Sequence, residues 1–129
     1  DICTNNAGLI ADVKTASDPT PGPWTRRATT LGYHRQNAFY VDGCNAVTGR
    51  EHRMMHIVVG SSEESGFECC CYFLDAVLPG EPDPITLGRR QNAKAMRDLA
   101  ECRRTGDWRA PRNREVEIVN LPRYAFFEE

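Results

Sequence analysis

The chain has 129 residues, with 6 Cys, 8 Pro and 10 Gly, and 40% of it is hydrophobic, which predicts a single domain over residues 1–129. No window approaches ~18 consecutive apolar residues; the most apolar run is Met54–Val59, so no membrane-spanning helix is expected. The net charge of −2 averages two opposed blocks: residues 61–87 hold six acids and no Lys or Arg, whereas residues 88–114 hold nine basic residues against three acids.

Residues 4–16 read as a short amphipathic helix, with Thr4 or Asn5 as cap and Leu9, Val13 and Ala16 near helical spacing, against a competing strand through Gly8–Val13. Three prolines and a glycine in Ser17–Pro23 impose a loop. Asn37–Val41, closed by Asp42-Gly43, and Met54–Val59, closed by Gly60, are predicted strands. Gly66–Leu74 is a third, halted by Pro79-Gly80 and the Pro82/Pro84 pair. From Gly88 to Arg104 the spacing predicts a helix: Ala95, Leu99 and Cys102 fall at i, i+4 and i+7, and Met96 and Ala100 widen the stripe. Arg103 and Arg104 suit its negative C-terminal end, and Gly106 stops it. Arg114–Leu121 is the fourth strand, with Val116 and Ile118 alternating with Glu115 and Glu117. The expected fold is α+β: an antiparallel sheet of about four strands with one long helix packed on a face, and three disulfides.

An even cysteine count in a small chain whose first residue is Asp1 fits a secreted, processed protein with a disulfide framework. The chain has no N-glycosylation sequon to add an independent sign of secretion. Six cysteines permit fifteen pairings. On an extended Gly66–Leu74, Cys69 and Cys71 point to one face and Cys70 to the other, and neighbours on one strand have poor disulfide geometry. Each of Cys69, Cys70 and Cys71 then needs a partner among Cys3, Cys44 and Cys102. The face bearing Phe67, Cys69, Cys71 and Phe73 is the more apolar and is expected to meet the helix, pairing Cys102 with Cys69 or Cys71. Adjacent thiols on a strand cannot converge on a tetrahedral ion, so no metal or cofactor is expected.

His52 and His56 lie about 13 Å apart on a strand, too far for one ion. With Glu51 and nearby arginines they supply the acid, base and phosphate groups of a ribonuclease, the alternative enzyme reading. No motif fixes their mutual geometry, and no nucleophile elbow, phosphate loop or dinucleotide fingerprint occurs. Fourteen of the sixteen cations are Arg, the cation suited to bidentate recognition. Arg103, Arg104, Arg109 and Arg112 with Trp108 form the candidate binding segment. An isoelectric point near 5.9 argues against a nucleic-acid partner and, with no basic amphipathic helix carrying a large aromatic face, against a membrane toxin.

Gly106-Asp107-Trp108-Arg109-Ala110-Pro111-Arg112 resembles the short signature of the LARS family, the Leptosphaeria avirulence and suppressing effectors of plant-pathogenic fungi. Trp108, Arg109 and Arg112 match it, Ala110 is its apolar residue, and Pro111 replaces the first of two basic positions. The resemblance implies a secreted virulence or avirulence protein rather than an enzyme, without catalytic residues, extracellular or delivered to the host cell. It would bind a host plant protein and be recognised by, or mask recognition by, resistance proteins. Trp108 and its arginines are then either a structural tie between loop and sheet or an exposed hot spot.

Overall fold

The computed structural model describes residues 2–4, 8–75 and 79–108. Its contacts divide the chain into two compact units, Asp1–Met96 and Arg97–Glu129. In the first unit the strands β1 (Ile2–Thr4), β2 (Leu9–Ala16), β3 (Arg53–Gly60) and β4 (Cys69–Phe73) lie in the order β1-β2-β3-β4. The helices α1 (Pro21–Leu31) and α2 (Tyr33–Thr48) stand between β2 and β3, and α3 (Pro84–Thr105) follows β4. Pairing is antiparallel for β1 with β2 and for β3 with β4, but parallel for β2 with β3.

The sheet is therefore mixed, and three helices accompany it, correcting the expected antiparallel sheet with a single packed helix. Parallel neighbours require a long crossover, and α1 and α2 fill it. Asn37–Val41, expected as a strand, lies inside α2, where Asn37, Ala38 and Val41 form the buried stripe. Its β-forming Phe39, Tyr40 and Val41 yield to tertiary packing at helical spacing. The helix expected over residues 4–16 is instead strand β2, the competing reading. Met54–Val59, Gly66–Leu74 and Gly88–Arg104 correspond to β3, β4 and α3. Arg114–Leu121 lies outside the described residues.

Local chemistry accounts for the helix ends. Pro21 opens α1 behind an Asp18 carboxylate that accepts bonds from the Thr20 amide and hydroxyl at 2.9 and 2.6 Å. Gly32, with φ 70°, closes α1 and at once precedes α2; a left-handed residue at that joint favours glycine. Asp83 caps α3 through the Ile85 and Thr86 amides at 2.9 and 3.1 Å, with Pro84 as the first helical residue.

α1 and α2 cover one sheet face in two clusters. Ala16, Trp24, Ala28 and Val58 form one, and Ile10, Val41 and Met54 the other. Within the first unit, the N-terminal part of α3 packs on α2. Arg89 grips Asp42 bidentately at 2.7–3.1 Å, Asn92 Nδ2 donates to the Arg35 carbonyl at 2.8 Å, and His34 Nε2 lies 2.8 Å from Gln91 Oε1. Gly88 permits the approach: a Cβ there would lie 2.4 Å from the His34 carbonyl oxygen and 3.0 Å from Ala38 Cβ. Gly88→Ala must push the helices apart and is expected to cost about 1–3 kcal/mol. The check is a lower urea midpoint at unchanged m value.

The expected disulfide framework is also corrected. Cys69, Cys70, Cys71 and Cys102 carry no disulfide, and none joins the described cysteines to Cys44; the side chain of Cys3 lies outside the described residues. The facing of β4 is the reverse of that expected. Cys70, Tyr72 and Leu74 turn toward the helices and are half-buried, while Cys69, Cys71 and Phe73 are exposed. Tyr72 and Leu74 pack on the Trp24 cluster, so this pair, rather than the more apolar Phe67/Phe73 set, provides the core contacts.

Candidate functional site

The alternation of β2 places Ile10, Asp12, Lys14 and Ala16 on the face under α1 and α2, and β3 presents Met54, His56 and Val58 beside them. Asp12 is directly opposite His56, and His56 is directly opposite Tyr72 on β4. A carboxylate, an imidazole and a phenol thus form a row across three strands. Lys14 Nζ lies 2.7 Å from Asp12 Oδ2 and 4.5 Å from the centre of the Tyr33 ring, while His56 Nδ1 is 3.6 Å from the same carboxylate oxygen.

Aromatic rings close this row from solvent. Trp24 lies 5.3 Å from Tyr33, 5.9 Å from His56 and 6.1 Å from Tyr72, and Tyr33 stacks on His56 at 5.9 Å. His56 is 0% exposed, and neither ring nitrogen has a hydrogen-bond partner among the described residues. Burial first, and then the Lys14 charge, lower its pKa from 6.5 to about 4. The Tyr72 hydroxyl donates to the Pro19 carbonyl at 2.8 Å. Burial, followed by its hydrogen bond to Cys70, raises its pKa. His56 is thus buried among the described residues and held toward its neutral form.

His52 is also buried. Its ring Nδ1 is 3.0 Å from Asn45 Oδ1 and 3.1 Å from the Arg50 carbonyl. It lines a cleft of about 170 Å³ with Arg53 and Arg89, but both guanidinium groups are engaged: Arg53 Nε is 2.6 Å from Asp75, and Arg89 binds Asp42. Glu51 is exposed. A larger cleft of about 510 Å³ opens past the ends of β2 and β3, where Asp18, Glu63, Glu64 and Glu68 contribute carboxylates and no described cation lines the wall. Among the described residues, no three His, Cys, Asp or Glu side chains are arranged to hold a metal ion, and no helix is long and apolar enough to cross a membrane.

In the second unit, the last turns of α3 carry Arg103 and Arg104, both exposed. Arg104 binds Glu101 one turn back at 2.6 and 2.9 Å, a pairing that holds the Glu101 carboxyl below its ordinary value. After Gly106, Trp108 is 62% exposed. Arg109 and Arg112 lie outside the described residues. The apolar stripe that predicted this helix is largely open: Ala95, Met96 and Ala100 are exposed, and Leu99 and Cys102 half-buried.

Sequence reading singled out His56 but missed the residues that confine it: Asp12, Lys14, Trp24, Tyr33 and Tyr72. Asp12 and Lys14 alternate with Ala11, Val13 and Thr15, a pattern that ordinarily turns the charges outward. Comparison with family models and with curated proteins finds no match for the chain.

Proposed function

We propose that the chain is a secreted effector of a plant-pathogenic fungus that acts by binding a host protein, using the C-terminal turn of α3 and Trp108 as the contact surface. The observation that carries this reading is the 62% exposure of the Trp108 indole in a unit whose helix ends on the exposed Arg103 and Arg104. Exposed tryptophan and arginine are the residues most often found at the energetic centre of protein interfaces. The Trp-Arg resemblance to the LARS signature supports the same segment. The ribonuclease alternative loses support because His52 and His56 are buried, and a hydrolytic site needs an imidazole within reach of the scissile group.

The test is quantitative binding to a purified host partner recovered by crosslinking in leaf tissue. Trp108→Ala with Arg103→Glu is expected to weaken binding at least ~30-fold, the scale of a hot-spot loss of about 2 kcal/mol. The thermal melt should be unchanged. Equal binding by the variant, or RNA turnover that disappears in His56→Ala, would overturn the reading.

A further inference from the structure

We propose that the outer edge of β4 is a self-association site, at which two copies of the chain pair antiparallel and are locked by two disulfides, each joining Cys69 of one copy to Cys71 of the second. This inference is independent of the host-binding surface.

Strand β4 ends the sheet, and no strand among the described residues pairs with its second edge. The direction of its backbone groups follows from the ladder. The Gly60 amide donates to the Glu68 carbonyl at 2.7 Å, which makes Glu68 and every second residue after it face β3. Cys70 and Tyr72 therefore spend their amides and carbonyls on β3, and Cys69, Cys71 and Phe73 direct theirs to the open edge. The same three residues send their side chains to the face away from α1 and α2, where all three are exposed. Neither charge nor proline stands on Cys69 and Cys71, whereas the Arg53 guanidinium lies 4.1 Å from the centre of the Phe73 ring. Natural edges usually carry such blocking residues, and an apolar edge without them is a template for another strand.

A second copy is the occupant that this edge matches. In an antiparallel pair centred on Cys70, Cys69 stands opposite Cys71 of the second copy, and Cys71 opposite its Cys69. Both are hydrogen-bonded pairs with Cα atoms about 5.5 Å apart, within the separation a disulfide spans. Their thiols share one face. The same register leaves Phe73, 41% exposed, beyond the thiols at each end of the pair. Centring on Cys71 instead would form one disulfide and leave Cys69 against Phe73.

A small disulfide such as oxidised glutathione supplies the oxidation. The Cys69 thiolate attacks it, forming a mixed disulfide and releasing one small thiolate. The Cys71 thiolate of the second copy then attacks the Cys69 sulfur and displaces the other. Per bond, two protein thiols and one small disulfide become one interchain disulfide and two small thiols.

The experiment uses the full chain in a Cys102→Ser background, oxidised with glutathione and read on a non-reducing gel and by sedimentation. A covalent dimer is expected, unchanged by Cys70→Ser and reversed by reductant. Cys69→Ser alone and Cys71→Ser alone should each remain monomeric, because each thiol then faces a serine. Mixed together they should form a heterodimer through the one remaining Cys71–Cys69 pair. Absence of a dimer in the background protein, or its loss in Cys70→Ser, would overturn the site. A dimer from either single variant alone, or none from the mixture, would overturn the pairing.

Discussion

Lys14→Met is expected to destabilise the fold by about 3 kcal/mol at pH 7, because removing one member of a buried ion pair leaves the other charge uncompensated. The Asp12 side chain is only 3% exposed, and Lys14 Nζ, 2.7 Å away, is its nearest cation. The loss stands at the low end of the range for buried pairs because Lys14 itself retains 18% exposure. Removing both charges together, as in Asp12→Leu with Lys14→Met, should recover most of it, since a buried pair replaced by apolar groups of similar volume is often neutral. Urea unfolding of the two variants makes the comparison. A double variant as unstable as the single one would show that packing, rather than an orphaned carboxylate, governs the site.

Acidification should weaken the protein well above the usual carboxylate range, and His56 is the cause. Its folded pKa, about 4, lies below the ordinary 6.5, first because of burial and then because of Lys14. Between these values the unfolded chain binds a proton that the folded chain refuses, so stability falls as the pH is lowered from about 6.5. The loss is complete near pH 4, at about 3 kcal/mol. The groups around the ring are Asp12 and Lys14 on β2, Trp24 on α1, Tyr33 on α2 and Tyr72 on β4. Asp18 and Asp83, held low by hydrogen bonds from Thr20 and Thr86, contribute in a separate window. Their stabilisation is present above the ordinary carboxylate value and is lost as the pH falls through their depressed values. His56→Leu should therefore flatten the profile between pH 6.5 and 4 and leave the steeper fall below it. Equilibrium unfolding across this range measures it, and an unchanged slope in His56→Leu would assign the sensitivity to other groups.

Much of the element pattern was legible where one local signal had no competitor. Met54–Val59 is the most apolar run of the chain and is closed by Gly60, and β3 follows it. Gly106 marks the end of α3 by its backbone chemistry alone, whereas the helix starts at Pro84, four residues before the Gly88 given by the apolar spacing, because the Asp83 carboxylate caps it. Asn37–Val41 shows the opposite case, since its aromatic and β-branched residues suit a strand, yet Ala38 and Val41 also fall three apart on a helical stripe. Only the presence of β3 and Met54 beneath that stripe decides between them. The disulfide expectation rested on a sound pleat argument, because Cys69 and Cys71 do share a face opposite Cys70. It went wrong in assigning the faces, because Tyr72 and Leu74 reach the Trp24 cluster and leave the exposed thiols outside.

By itself, the sequence determined the strands β3 and β4, the C-terminal end of α3, the opposed charge blocks and the absence of a long apolar window, all of which depend on neighbours within a few residues. The tertiary structure alone decided the parallel β2–β3 pair, because its crossover needs two helices, one of which contains the strand-forming segment Asn37–Val41. It also decided the inward facing of Asp12 and Lys14. A charged residue is buried when its counter-charge and apolar cover arrive together, and here the cover comes from Trp24, Tyr33 and Tyr72 on three separate elements. No window of the chain contains that meeting.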